Sequence, residues 1–123
     1  MLTDLRTAIA GKTITGLTGG LWYLEASGKS FPYAVFSFIS NPISRDSAMS
    51  FEDYYLQINL YDTDGTRIET VKKAVTDTFD DSEATFSLAN YHFERIERQF
   101  ARAFKVEKIY QIVIQYKIEL THK

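Results

Sequence analysis

No cysteine occurs in the 123 residues. That excludes a disulfide scaffold, a cysteine–zinc site and a cysteine nucleophile, and it fits a reducing compartment. A dominant charge is missing too. Fourteen Lys and Arg stand against sixteen Asp and Glu, a formal net charge of −2, which gives no global pull toward nucleic acid or an anionic membrane. No stretch approaches the roughly 20 apolar residues of a membrane-spanning helix. The N-terminal Met1-Leu2-Thr3-Asp4-Leu5 lacks a basic region followed by an apolar run, so a secretory signal is not expected. The expectation is a protein made in the cytoplasm. Repeats, linkers and low-complexity segments are absent, and 123 residues fit one domain spanning 1–123.

Motifs with known chemistry are also missing. There is no Gly-x-Ser-x-Gly pattern. Lys12-Thr13 and Gly16 to Gly20 have the wrong order for a phosphate loop, because no glycine-rich turn leads into Gly-Lys-Ser/Thr at a helix start. Asp62, Asp64, Asp80, Asp81 and Glu83 lack the twelve-residue spacing of a calcium loop and read as caps and solvated turns. His92 and Glu94 are two apart on a plausible strand. Such a pair shares a face and could act as acid and base, or as metal ligands with His122 or Asp62 as a third. Composition alone produces such pairs often, and a solvated sheet face is the preferred reading. No catalytic residue, cofactor or metal is assigned, and the chain is not expected to be an enzyme.

What the chain has is apolar and aromatic content, 45% hydrophobic with nine Phe, eight Tyr and one Trp. That suffices for a modest core and argues against disorder. Val106 to Leu120 alternates. Tyr110, Ile112, Ile114, Tyr116, Ile118 and Leu120, with Val106 and Lys108, fall on one parity, and a mostly polar set on the other, the pattern of a strand with one apolar face. At ~3.3 Å per residue this run reaches roughly 50 Å, beyond the roughly 35 Å diameter of a compact domain of this size. It must bend, stop early or pair with another copy.

The remaining elements follow from local signals. Thr3 caps a helix to about Ala10 with Leu5, Ala8 and Ile9 as its stripe and Gly11 as its stop. Leu21 to Leu24 is a short apolar burst, either a brief strand or a buried loop. Phe31 to Ile39 reads as a strand with apolar groups on both faces, both expected to be covered. Ser40 to Ser50 is a loop, long for a hairpin. Phe51 to Tyr61 is a strand, and Asp62 to Gly65 a turn. Thr66 to Glu69 has capping-box spacing, opening a helix that ends near Phe79 on the stripe Ile68, Val71, Ala74, Val75, Thr78 and Phe79. Leu88 to Phe104 is compatible with helix or strand; a strand over Asn90 to Glu97 followed by an irregular turn is favoured. The fold class expected is α+β, a mainly antiparallel sheet of about four strands with two helices packed on one face.

Two surface features remain. Arg95, Arg98, Arg102, Lys105 and Lys108 interleave with Phe100 and Phe104, as a nucleic-acid groove could, but Glu94, Glu97 and Glu107 dilute the charge, and a basic rim on a subunit interface fits at least as well. Trp22, Tyr23, Met49 and Phe51 lie beside turns or the long loop, where aromatics either pack a sheet edge or anchor a partner.

In order along the chain, the N-terminal helix, Phe31-Pro32-Tyr33-Ala34-Val35-Phe36, Tyr55-Leu56-Gln57-Ile58-Asn59-Leu60-Tyr61, the capped helix from Thr66 and Tyr110-Gln111-Ile112-Val113-Ile114-Gln115-Tyr116 give a pattern that resembles the tail terminator (tail completion, or tail-to-head joining) proteins of long-tailed bacteriophages. The resemblance covers nearly the whole chain through patterning and one Pro-Tyr pair. It implies a non-enzymatic α+β subunit of a homo-oligomeric ring, usually a hexamer. Such a ring caps the tail tube protein's last ring, ends polymerisation and docks the head connector and neck proteins. Genome DNA passes through it without sequence-specific binding, no membrane is involved, and the location is the tail or neck of a virion assembled in the host cytoplasm. Candidate subunit or tube contacts are Trp22, Tyr23, Arg45, Asp46, Met49, Phe51, Arg98 and Arg102. Competing readings are a head-completion or neck protein, a small-ligand or peptide-binding module supported by a discrete apolar pocket, and an enzyme using His92 and Glu94 in a cleft.

Overall fold

The computed structural model describes residues 2–26, 30–39 and 51–123. Along the chain run α1 (Leu2–Ala10), β1 (Leu21–Tyr23), β2 (Tyr33–Phe38), β3 (Phe51–Asp62), α2 (Gly65–Phe79), a 3₁₀ turn (Glu83–Thr85), β4 (Tyr91–Val106) and β5 (Ile109–His122). The strands form one sheet in the order β1-β2-β3-β5-β4. β1 pairs parallel with β2, and every other pair is antiparallel. The class is α+β as expected, but the sheet has five strands, because the burst at Leu21–Tyr23 pairs with Ala34–Phe36.

Period-two alternation places one core. Ala34, Phe36, Leu56, Ile58, Leu60, Ile112, Ile114, Tyr116, Ile118 and Leu120 are buried together with Leu5 and Ile9 of α1 and Ile68, Val71, Val75 and Phe79 of α2. Both helices therefore cover the same sheet face. On the other face Val35, Ser37, Gln57, Asn59, Tyr61, Val113 and Gln115 are half-buried, Tyr33 is buried on the Tyr61 ring, and no helix lies there among the described residues, so the second face of β2 is covered in part and without a helix. Gly19 fixes the β1 end of the sheet. Its N–H donates to the Pro32 carbonyl at 2.8 Å, and a Cβ there would lie 1.7 Å from the Ser30 carbonyl oxygen.

Three local expectations are corrected. Helix α1 already includes Leu2, so Thr3 lies inside its first turn and does not cap it. Helix α2 is capped by Asp64, whose side chain accepts from the Thr66 and Arg67 N–H groups; a carboxylate two residues before Thr66 reaches the free donors first. The region 91–106 is one continuous strand ended by a turn at Glu107, whose φ is 56°. The expected irregular turn after Glu97 is a strand continuing past two bulges, between Phe93 and Arg95 and between Arg98 and Phe100. Val106 and Lys108 consequently do not belong to the C-terminal strand. The long run is absorbed by neighbours of similar length, since β5 pairs with β3 from Thr121 to Tyr110 and with β4 from His122 to Ile109.

Candidate assembly surface

A sheet with two open sides presents unpaired N–H and C=O groups at each. Here the sides differ greatly. β1 is three residues long and β4 is sixteen. The first half of β4 is anchored. Ile96 is buried, the Phe93 ring stacks on Phe86 with centroids 4.4 Å apart, and Arg98 reaches Asp80 at 3.5 Å. Asp80 also accepts from the Tyr116 hydroxyl at 2.7 Å. Burial first, then the Asp80 hydrogen bond and charge, push the Tyr116 phenol well above its ordinary value.

Beyond the second bulge the strand changes character. Residues 100–106 are all exposed. The pairs Phe100–Gln115, Arg102–Val113, Phe104–Gln111 and Val106–Ile109 put Phe100, Arg102, Phe104 and Val106 on the helix-free face, while Ala101, Ala103 and Lys105 oppose Ile114, Ile112 and Tyr110 on the helix side. Ala103 leaves space beside α2, a groove of about 310 Å³ lined by Gly65, Ile68, Ala103, Lys105, Tyr110 and Ile112 among others.

This end rests on a rigid support. Asp62 at the end of β3 is fully buried, pairs through both oxygens with the Arg67 guanidinium, and accepts from the Thr63 and Asp64 N–H groups at 2.7 and 3.2 Å. Burial pushes its carboxyl up, but the Arg67 and backbone hydrogen bonds outweigh that and hold it below its usual range. Lys105 lies 4.8 Å over the Tyr110 ring, which also covers Gly65.

Of the expected contact residues, Arg98 and Arg102 are both exposed on β4 but diverge. Arg98 is held by Asp80 on the helix side, whereas Arg102 lies between Phe100 and Phe104 with no ion pair among the described residues. The basic residues are thus split between two faces and do not line one groove. Trp22 is half-buried and donates from Nε1 to the Gly19 carbonyl at 2.8 Å. Tyr23 packs against Phe36 under the Arg6 guanidinium. Both therefore first serve to build the β1 side. Arg45, Asp46, Met49 and the Phe51 side chain lie outside the described residues.

His92 is exposed, and Glu94, at the first bulge, accepts from the Thr121 hydroxyl at 2.7 Å. His122 packs on Tyr91. No group of three or more acidic or histidine side chains placed to hold a metal occurs among the described residues. Asp64 and Asp80 sit at the two caps of α2 and Asp80 pairs with Arg98, whereas Asp62, expected as a cap or in a solvated turn, is fully buried against Arg67.

Leu24, Ile39 and Val106 were not expected at the surface, and Phe100 and Phe104 were expected as rings among basic residues or as part of a helical stripe with Phe93 and Ile96. All five are exposed. The available signal was Phe100 to Val106 itself, where large groups alternate with Ala101, Ala103 and Lys105. Neither parity there combines large apolar groups with an apolar partner row.

No protein-family model matches the chain, and no curated protein matches it by sequence. Among solved structures it is similar to a chain of the "Virion of native gene transfer agent (GTA) particle". The TM-score is 0.72 at 13% identity, over 98% of this chain and 94% of that one. At that identity the likeness establishes a shared fold across nearly the full length of both chains.

Proposed function

We propose that this chain is a structural virion protein that acts as a tail terminator. Copies assemble into a ring, in keeping with the hexamers of the resembled family, which caps the tail tube, ends its growth and offers its other face to the head connector. The observation that carries the reading is the near-complete two-way coverage with a chain of a gene transfer agent virion, which agrees with the independent resemblance in the sequence pattern. The distribution of exposed apolar side chains supports it, since it favours contact between proteins over chemistry in a cleft.

The mechanism is geometric. Identical heterologous contacts close under rotation and leave no free edge. One face of the closed ring matches the last ring of the tube and the other does not, so addition stops. No residue reacts, and DNA crosses the ring without its bases being read.

Deleting the gene and imaging the particles by negative stain tests this. Tails of uncontrolled length, with heads left unjoined, are expected. Tails of normal length detached from heads would instead identify a head-completion or neck protein. Normal, joined particles would reject the virion assembly role.

A further inference from the structure

Among the described residues, five large apolar side chains are exposed: Leu24 at 63%, Ile39 at 54%, Val106 at 51%, Phe100 at 43% and Phe104 at 41%. None lies on α2 or on the central strands β3 and β5. Leu24 and Ile39 follow the ends of β1 and β2, on one side of the sheet, and the other three belong to β4, on the opposite side. Exposed apolar groups concentrated in patches mark interaction sites. Two different patches at opposite sides of one molecule suit a heterologous, head-to-tail contact, in which copy after copy presents the same pair of surfaces.

We propose that the distal half of β4 in one copy, through Phe100, Arg102, Phe104 and Val106, docks on the β1 side of the next copy, at Leu24, Glu25 and Ile39. The assignment extends the ring reading and rests on it only for closure. Three observations select this occupant.

The first is the backbone. Among the described residues β4 pairs on one side only, so alternate N–H and C=O groups along it face outward. Both bulges lie before Phe100, and the segment 100–106 is regular and able to receive a partner. The second is charge. Two β4 strands paired on each other through 100–106 would bring together Arg102 and Lys105 of each copy, with no acidic residue in that segment, and like charges facing across strands destabilise pairing. The β1 side offers exposed Glu25 next to Leu24. The third is availability. Arg102 has no ion pair within the described chain, whereas Arg95, Arg98 and Lys105 are engaged with Glu97, Asp80 and the Tyr110 ring. On the receiving side Arg6 is already placed over Tyr23.

The chain has no cysteine, so introduced thiols report without background. The double variant Leu24→Cys/Phe104→Cys is oxidised at high protein concentration and run on a non-reducing gel, beside each single variant and a Thr70→Cys/Phe104→Cys control on the exposed face of α2. Circular dichroism checks that each is folded. Disulfide trapping captures transient encounters as well as stable rings.

The expected result is a ladder of linked copies from the Leu24→Cys/Phe104→Cys protein, dimers alone from an equal mixture of the two single variants, and loss of linkage in the control and in each single variant by itself. Dimers from Phe104→Cys alone would overturn the assignment in favour of a two-fold contact. So would monomers throughout. Light scattering on the same samples separates this contact from the ring. A ladder without a closed species retains the contact and rejects the ring, whereas a ring with no linkage rejects the contact and retains the ring.

Discussion

Strand β4 has one neighbouring strand among the described residues, yet its two halves are in different physical situations. From Tyr91 to Arg98 it carries a buried Ile96, a stacked Phe93 and an ion-paired Arg98, and both bulges mark its course. From Phe100 to Val106 it is regular and exposed on both faces. Bulges twist and interrupt an edge, which guards it against pairing with other chains. The anchored half is therefore also the guarded half, and the unanchored half is unguarded. A strand shaped only by monomer stability would not expose its regular half with two phenylalanines. The contrast is what a subunit needs, a fixed root and a presented tip.

The largest effect expected within this contrast comes from the root. Ile96→Ala should cost about 2–4 kcal/mol, the range for truncating a buried aliphatic side chain, measured as a lower urea midpoint with unchanged slope. Phe104→Ser, four turns of the pleat further on, should change monomer stability by no more than about 0.5 kcal/mol, as exposed substitutions do, while abolishing self-association. Equal losses of stability at the two positions would show that the halves are not distinct.

The next effect concerns the support under the tip. Arg67→Met leaves the Asp62 carboxylate buried without its cation. Removing one partner of a buried pair costs about 3–5 kcal/mol. Because the Arg67 side chain is 46% exposed, water can replace part of the interaction, and the loss at neutral pH should fall short of that range. The pH dependence follows from the depressed carboxyl of Asp62. A group whose folded value lies below its unfolded value adds stability above about pH 4 and loses that contribution as pH falls through the folded value. In the variant, burial dominates and the carboxyl protonates more readily. The difference between the two proteins should shrink as the pH is lowered through about 4. A difference constant from neutral to acid pH would mean that the ion pair is not the support.

Most of the scaffold was legible in the sequence because its signals were local and regular. The alternation from Tyr110 to Leu120 and the stripe from Ile68 to Phe79 name the buried faces directly. The region 91–106 resisted for a physical reason. Each bulge inserts one residue and switches parity, so Phe93 and Ile96 face the core while Phe100 and Phe104 face away. On a one-dimensional reading those four positions imitate a helical stripe. The cap of α2 was misplaced because two overlapping signals, Asp64 and the Thr66–Glu69 spacing, compete at one helix start. For the assembly surface, Arg102 was legible as a cation beside rings. Leu24 and Ile39 were not, because exposure at a sheet edge depends on strand order, which no local pattern in those segments encodes.

The smallest effect sharpens the boundary between root and tip. The Tyr116 hydroxyl donates to Asp80, and Asp80 holds Arg98 immediately before the second bulge. Tyr116→Phe keeps the buried ring and its contact with Phe79 and removes only that donor, at a cost of about 1 kcal/mol, the usual net value of one hydrogen bond. The phenol's raised pKa adds a second readout. Such a group contributes fully below the unfolded value, and its contribution falls as pH rises past about 10, where the unfolded chain's tyrosine ionises and the folded one does not. The cost of alkaline pH should therefore be smaller in the phenylalanine variant. If Asp80 is the fastening point, hydrogen exchange should quicken at Ile96 to Arg98 and stay unchanged from Phe100 to Val106, so that the root comes to resemble the tip. Faster exchange along the whole of β4 would mean that the two halves open as one unit.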